Sequence, residues 1–316
     1  RAPMTAVSVP MVHDTVPGLK IRSYLKKPQL PYLRLPGLQK INRNEIVVFS
    51  WPADTVRQFF VREKRVDKPI DKKSNYVKRC VGIPGDTLEI IDGIVHTNNS
   101  KNKLPDRARV QYTHFAYAQK GVSSRKLLAE GFEDFNRTYK IENITENSYQ
   151  QIIPYIIGRM GNTIENFKVL TTAKGLPADV VRRTGLRVSE ILELKKEMTL
   201  TLEEANVLRK VTGIDSVVRR VSKNKVPNEV FFPNKIPFDW NEDNFGPIVI
   251  PKKGMTINLN KENLSLYKKI IAEYEANVLE TSPSGIKING NPSNQYTFKK
   301  DYYWMMGDNR HKSEDS

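Results

Sequence analysis

Cys80 is the single cysteine of this 316-residue chain. A disulfide needs two sulfurs and a cysteine-based zinc centre needs several, so neither can form within the chain. Histidine is nearly as scarce: His13, His96, His114 and His311 are the four, and no two share metal-ligand spacing. No glycine pattern opens a helix after a strand, which leaves a phosphate-binding loop without support. We therefore expect no metal and no organic cofactor. Long apolar runs are missing too, and nothing approaches the about 18 to 20 consecutive apolar residues that a membrane-crossing helix requires. The chain starts at Arg1 with no apolar signal-like segment and stops in the polar run Ser313, Glu314, Asp315, Ser316. We read both ends as cut, with an upstream membrane anchor among what was removed. No fixed-period repeat is visible, which excludes a solenoid or a propeller.

Negative charge is also in short supply. Against 51 Lys and Arg there are 35 Asp and Glu, a formal net charge of +16, and the pI is about 9.7. Such a field attracts either phosphates of nucleic acid or anionic lipid headgroups. For nucleic acid, the best element is a helix pair over 178–196 and 202–210 carrying Arg182, Arg183 and Arg187, but no helix-turn-helix, finger or RNA-binding aromatic signature accompanies it. We expect an anionic membrane surface as partner and no nucleic acid. Hydrophobic residues at 39% with 9% aromatics supply enough apolar surface for a folded core.

The length fits about two domains. Prolines scattered through the first forty residues point to edge strands and loops. The β-branched run Ile46, Val47, Val48 ending at Phe49 predicts a buried strand, broken by Trp51 and Pro52, and 57–73 reads as a charged connector. A second strand over 75–83 closes at Pro84, Gly85 and Asp86, and a hairpin folds about Asp92 and Gly93. From about residue 98 the composition turns Asn- and Lys-rich. Helical spacing follows over 149–160, 178–196 and 202–210, with Thr201 as a helix start. β-like patterns return at 229–232, 247–250, 286–288 and 302–306, and 263–279 reads as one amphipathic helix. The division this implies is a first core segment over 1–97, an inserted mixed α/β cap over 98–228, and return strands with a helix over 229–316.

Two stretches carry chemistry. In Asn75-Tyr76-Val77-Lys78-Arg79-Cys80-Val81, alternation puts Tyr76, Lys78 and Cys80 on one face and Val77, Arg79 and Val81 on the other. A lysine held among apolar groups has its charged form desolvated, which leaves an amine able to take a proton. The strand alone reads first as an edge whose cations reach into water. The second stretch, Met305-Met306-Gly307-Asp308-Asn309-Arg310-His311-Lys312-Ser313, places opposite charges and a hydroxyl beside two methionines. It reads first as a tight turn in which Gly307 supplies unusual backbone angles.

Together the stretches resemble bacterial type I signal peptidases. Lys78-Arg79-Cys80-Val81-Gly82-Ile83-Pro84-Gly85-Asp86 is similar to that family's Lys-Arg-x-x-Gly-x-Pro-Gly-Asp box. Gly307-Asp308-Asn309-Arg310 with Ser313, Asp315 and Ser316 resembles its Gly-Asp-Asn-Arg-x-x-Ser-x-Asp-Ser box, and 44–49 resembles the preceding Gly-Asp-Ile-Val-Val-Phe box, with Asn44 and Glu45 departing from it. The resemblance implies a mainly β core of signal-peptidase or LexA-like type, here with a large inserted cap. It implies a serine endopeptidase with a Ser/Lys dyad on the extracytoplasmic face of the cytoplasmic membrane, removing signal peptides from exported preproteins through an acyl-enzyme.

By the same resemblance Lys78 is the general base and Ser313 orients its amine. Tyr76, Met305 and Met306 form the apolar shell, Val77 lines the pocket for a small residue, and Asp308 and Asp315 hold Arg79 and the Lys78 strand. The family's Ser-Met nucleophile box has no counterpart here. Ser8, Ser23, Ser50 and Ser74 all lack the expected neighbours, so we expect the nucleophilic serine upstream and this span alone to be inactive. The family's arginine after the last Asp-Ser is absent as well. Two rivals remain open: a LexA-type self-cleaving regulator and a basic nucleic-acid-binding protein. A cysteine-protease reading of Cys80, beside two cations, is set against that of a small apolar strand residue.

Overall fold

The structure, a computed structural model, describes residues 5–9, 12, 15–19, 21–31, 39–50, 69–73, 75–161, 167–233, 237–283 and 285–313. The Trp51 and Pro52 break and most of the 57–73 connector lie outside these residues. The chain is mainly β and divides into two compact units. Unit 1 comprises Arg1–Asp106, Ser222–Gly307 and Ser313–Ser316, and unit 2 comprises Arg107–Val221 and Asp308–Lys312. Among the described residues no helix is long and apolar enough to cross a membrane.

In unit 1 a three-stranded antiparallel sheet places Asn75–Gly82 between Ile46–Ser50 and Trp304–Met306. A second sheet carries the predicted hairpin. Thr87–Ile91 pairs with Ile94–Thr97 around Asp92 and Gly93, whose positive φ angles of 48° and 76° suit the tight turn that joins strands of right-handed twist. Val81, Leu88, Ile248, Ile250, Phe298 and Met306 are all buried in the unit's apolar core. Near the N-terminus Thr5, Ser8 and Thr15 form isolated bridges to Gln29, Tyr24 and Arg22.

Unit 2 holds a sheet with Gln111–Tyr117 between Lys195–Thr201 and Ser216–Arg219, and a second one of four strands built around Asn136–Glu142 and Lys168–Thr172. Each sheet covers its own apolar cluster, one around Leu127, Met198 and Leu208, the other around Ile141, Ile152 and Val169. Thr201 caps Leu202–Leu208 with a capping box: its hydroxyl accepts from the Glu204 amide and the Glu204 carboxylate accepts from the Thr201 amide.

Several expected elements differ. The 149–160 pattern is a helix only over Glu146–Ile152; Pro154 tightens the next turn, and the β-branched Ile156 and Ile157 open the strand Ile156–Met160. The 178–196 pattern stops as a helix at Thr184, because Gly185 takes a left-handed conformation (φ 66°) that ends it, and two strands follow. Arg187 is therefore on a strand, while Arg182 and Arg183 stay in the last turn of the helix Ala178–Thr184, and the second expected helix forms over Leu202–Leu208. Over 263–279 the helix is shorter: Leu264–Lys269 runs into a π turn at Ile270–Tyr274, and Leu279–Ser282 is a strand. Residues 229–232 form turns rather than a strand, with Val230 exposed and Pro227 and Pro233 removing two amide donors. Finally, Ile46–Ser50 is a strand but not a buried one: Ile46 and Val48 are 63% and 64% exposed.

Candidate active site

The register of the three-stranded sheet decides which side chains meet. Val47 stands opposite Lys78 and Phe49 opposite Tyr76. Directly paired residues share a face, so Val47, Phe49, Tyr76, Lys78 and Cys80 lie on one side of the sheet. On the other strand Met305 pairs with Cys80, which puts it on this side as well. The rings of Phe49 and Tyr76 sit 6.4 Å apart and tilted by 32°. Lys78 is half-buried within this apolar setting.

Lys78 Nζ donates to Ser313 Oγ at 2.5 Å across 235 residues of sequence. Room for that bond comes from Gly307. A Cβ built there would fall 2.1 Å from Ser313 Oγ, 2.6 Å from Ser313 Cβ and 3.2 Å from Lys78 Nζ. Gly307 is not among the residues with positive φ, so the expectation of unusual backbone angles is corrected: the position requires the absence of a side chain.

Around the lysine the neighbouring boxes are built in. Arg79 is buried and donates through Nη1 to the Asn44 carbonyl at 2.7 Å. Asn44 has φ 68°, a left-handed conformation that glycine adopts freely and asparagine tolerates best among other residues. Asp86 receives both Nε and Nη2 of Arg43 at 2.6 Å, the Ile83 amide at 3.0 Å and Asn98 Nδ2 at 3.0 Å. Burial works to raise the Asp86 carboxyl, but these hydrogen bonds and the charge of Arg43 bring it below its ordinary value.

Met305 and Met306 take opposite faces of the sheet. Met306 pairs with Arg79 and is buried in the core with Val81, so the register puts its side chain on the face away from Lys78, and only Met305 shares the amine's side. Val77 also faces away from Lys78 and is 60% exposed beside Val48. Asp308 belongs to unit 2, where its carbonyl accepts from the Gln111 amide. Asp315 lies outside the described residues. Val47 and Phe49 were absent from the predicted shell; the alternation in 46–49 was the available signal, but only the pairing register says which of its faces meets the lysine.

Among the upstream serines, Ser23 donates to the Val12 carbonyl, Ser50 to Asn75 Oδ1, and Ser8 is exposed in its bridge with Tyr24. Ser74 lies outside the described residues, as do Pro10 and Met11 beside Ser8. Cys80 is fully buried, its sulfur is 3.4 Å from the Gly82 carbonyl, and burial pushes its thiol up to about 11. That corrects the reactive-thiol alternative, since a thiolate is what attacks. His96 and His114 each set Nδ1 against a carbonyl, of Ile94 and Tyr112 respectively, and His13 lies outside the described residues. Among the described residues no three His, Cys, Asp or Glu side chains gather as a metal site.

A comparison with protein families matches residues 5–164 to the family described as signal peptidase, peptidase S26. The match covers about half of the chain and includes the Lys78 strand. No match to a curated protein and none to a solved structure was found.

Proposed function

The chain belongs to the signal peptidase family, peptidase S26, and we propose that it is a membrane-associated serine endopeptidase that removes signal peptides from exported preproteins with Lys78 as general base. The single observation that carries this reading is the bond between Lys78 Nζ and Ser313 Oγ at 2.5 Å, in the space that Gly307 leaves open. Lys78 in its neutral form takes the proton of the nucleophilic serine as that oxygen attacks the scissile carbonyl. The proton passes to the departing amine, an acyl-enzyme ester remains, and water hydrolyses it with the same amine as base. Ser313 does not touch the reacting atoms in this scheme; it is a positioning residue that fixes the direction of the Lys78 amine. The nucleophile is not assigned to a described serine. Val77 and Val48, exposed and apolar, fit the role of a wall for a small substrate side chain.

The excess of Lys and Arg, 51 against 35 acidic residues, suits work against the anionic surface from which such substrates emerge, on the extracytoplasmic face of the cytoplasmic membrane. The test is to incubate the full-length protein with a preprotein in vesicles containing anionic lipid and to sequence the N-terminus of the product. Cleavage after a small residue is expected. Tight binding to duplex DNA with no cleavage of any preprotein overturns the reading.

A further inference from the structure

In the four-stranded sheet of unit 2 one face is packed: Tyr139, Ile141 and Val169 enter the apolar cluster that Ile152 and Val180 join from the helices Glu146–Ile152 and Ala178–Thr184. Alternation sends the residues between them to the other face. There Lys140 stands directly opposite Lys168, and Lys168 opposite Met160 on the edge strand Ile156–Met160. Like charges set directly opposite each other destabilise a sheet. The unit answers only part of this charge. Glu142 accepts from the Lys140 amine at 3.0 Å and stands opposite Arg187, while Lys168 has no acidic partner among the described residues.

The edge beside these cations is apolar. Ile153, Tyr155, Ile157 and Met160 are all exposed, four large side chains between residues 153 and 160. Pairing with Lys168–Thr172 slips at Ile157, which interrupts the ladder. A bulged edge is a poor template for another strand, which argues against a second copy or an extended peptide added along it. Nucleic acid fits less well too. Its phosphates would answer the lysines, but its bases stack on aromatic rings, and here Tyr155 stands among aliphatic side chains that gain nothing from them. An anionic bilayer answers both features, with phosphates for the amines and the boundary between headgroups and acyl chains for the apolar side chains.

We infer that the open face and edge of this sheet, Lys140, Lys168 and Arg187 with Ile153, Ile157 and Met160, form a docking surface for anionic lipid headgroups. The inference rests on the membrane-surface reading given above and assigns part of that contact to unit 2, away from Lys78 and Ser313, which both belong to unit 1.

The test is cosedimentation of this chain with vesicles of phosphatidylserine in phosphatidylcholine, beside vesicles of phosphatidylcholine alone, for the wild type, K140A/K168A and I157S/M160S. A lysine near an anionic surface is worth about five-fold in partitioning, so K140A/K168A should bind about 25-fold more weakly at low salt. In about 1 M salt, where charges are screened within about 3 Å, it should match the wild type. I157S/M160S should bind more weakly at both salt concentrations, because apolar burial is not screened. Cooperative melting of both variants separates weak binding from failure to fold. Wild-type binding to the anionic vesicles by both variants overturns this inference alone, as does a dimer or an RNA complex that these substitutions abolish while vesicle binding stays. No binding of the wild type to anionic vesicles overturns the membrane-surface reading and this inference with it.

Discussion

Gly307 and Ser313 occupy complementary space: a single carbon added to Gly307 would stand 2.1 Å from the Ser313 hydroxyl oxygen. Lys78 Nζ would lie 3.2 Å from the same carbon, so the added group would press on both partners of the hydrogen bond. For G307A we expect kcat to fall about 100-fold, the scale of loss that about 1 Å of misplacement causes at a reacting group. The thermal midpoint should move little, because the clash is with a half-buried side chain. Steady-state kinetics beside a melting curve separates the two; wild-type kcat in G307A would show that the space is not needed.

The Asp86 carboxylate ties Arg43 to the turn that follows the lysine strand. D86N should lower the stability of the protein at pH 7 by about 1 to 3 kcal/mol, the range for breaking hydrogen bonds to a buried acceptor. The folded carboxyl sits below its ordinary value, so the stabilisation is present above the unfolded value, about 3.9, and is lost as pH falls through the folded one. Denaturant titrations of wild type and D86N should therefore differ at neutral pH and converge in acid. A gap that persists unchanged in acid would contradict the assignment.

Cys80 should be silent toward thiol reagents in the folded protein. It is fully buried and burial holds its thiol near 11, so at pH 8 almost none is thiolate. A disulfide-exchange reagent should label it only after denaturant is added, and rapid labelling of the native protein would restore the reactive-thiol reading.

Glu275 is buried and accepts from the hydroxyls of Tyr296 and Tyr302 and from the amides of Lys299 and Lys300. This anchors the chain just before the strand that presents Met305. E275A strands those donors and should lower stability by about 2 to 4 kcal/mol, more than E275Q, which keeps one oxygen acceptor. Equal stabilities of the two variants would contradict this.

The sequence made the chemistry more legible than the elements that carry it. Lys78 and Ser313 stood out because their boxes are long and ordered, and the Asp92 and Gly93 turn announced its hairpin through residues that tolerate positive φ. Residues 98–228 were harder. Over 149–160 and 178–196 the apolar spacing fits a helix, but Pro154 and Gly185 divide each stretch, and the β-branched residues beyond them pair in sheets whose partners are far away in sequence. The exposure of Ile46 and Val48 was hidden because a β-branched run reads as buried whether or not anything covers its second face. The site shell had the same difficulty: alternation says that Met305 and Met306 point to opposite faces, while the register with Cys80 and Arg79 says which one meets the lysine.

The most direct measurement is turnover of a preprotein by the full-length K78A variant, with S313A alongside. K78A should lose at least about 100-fold in kcat, the usual contribution of a general base, while folding as the wild type does. S313A should lose less, about ten-fold, with KM unchanged, as befits a group that only orients the amine. Turnover by K78A at the wild-type rate would contradict the central claim that the Lys78 amine is the base of this enzyme.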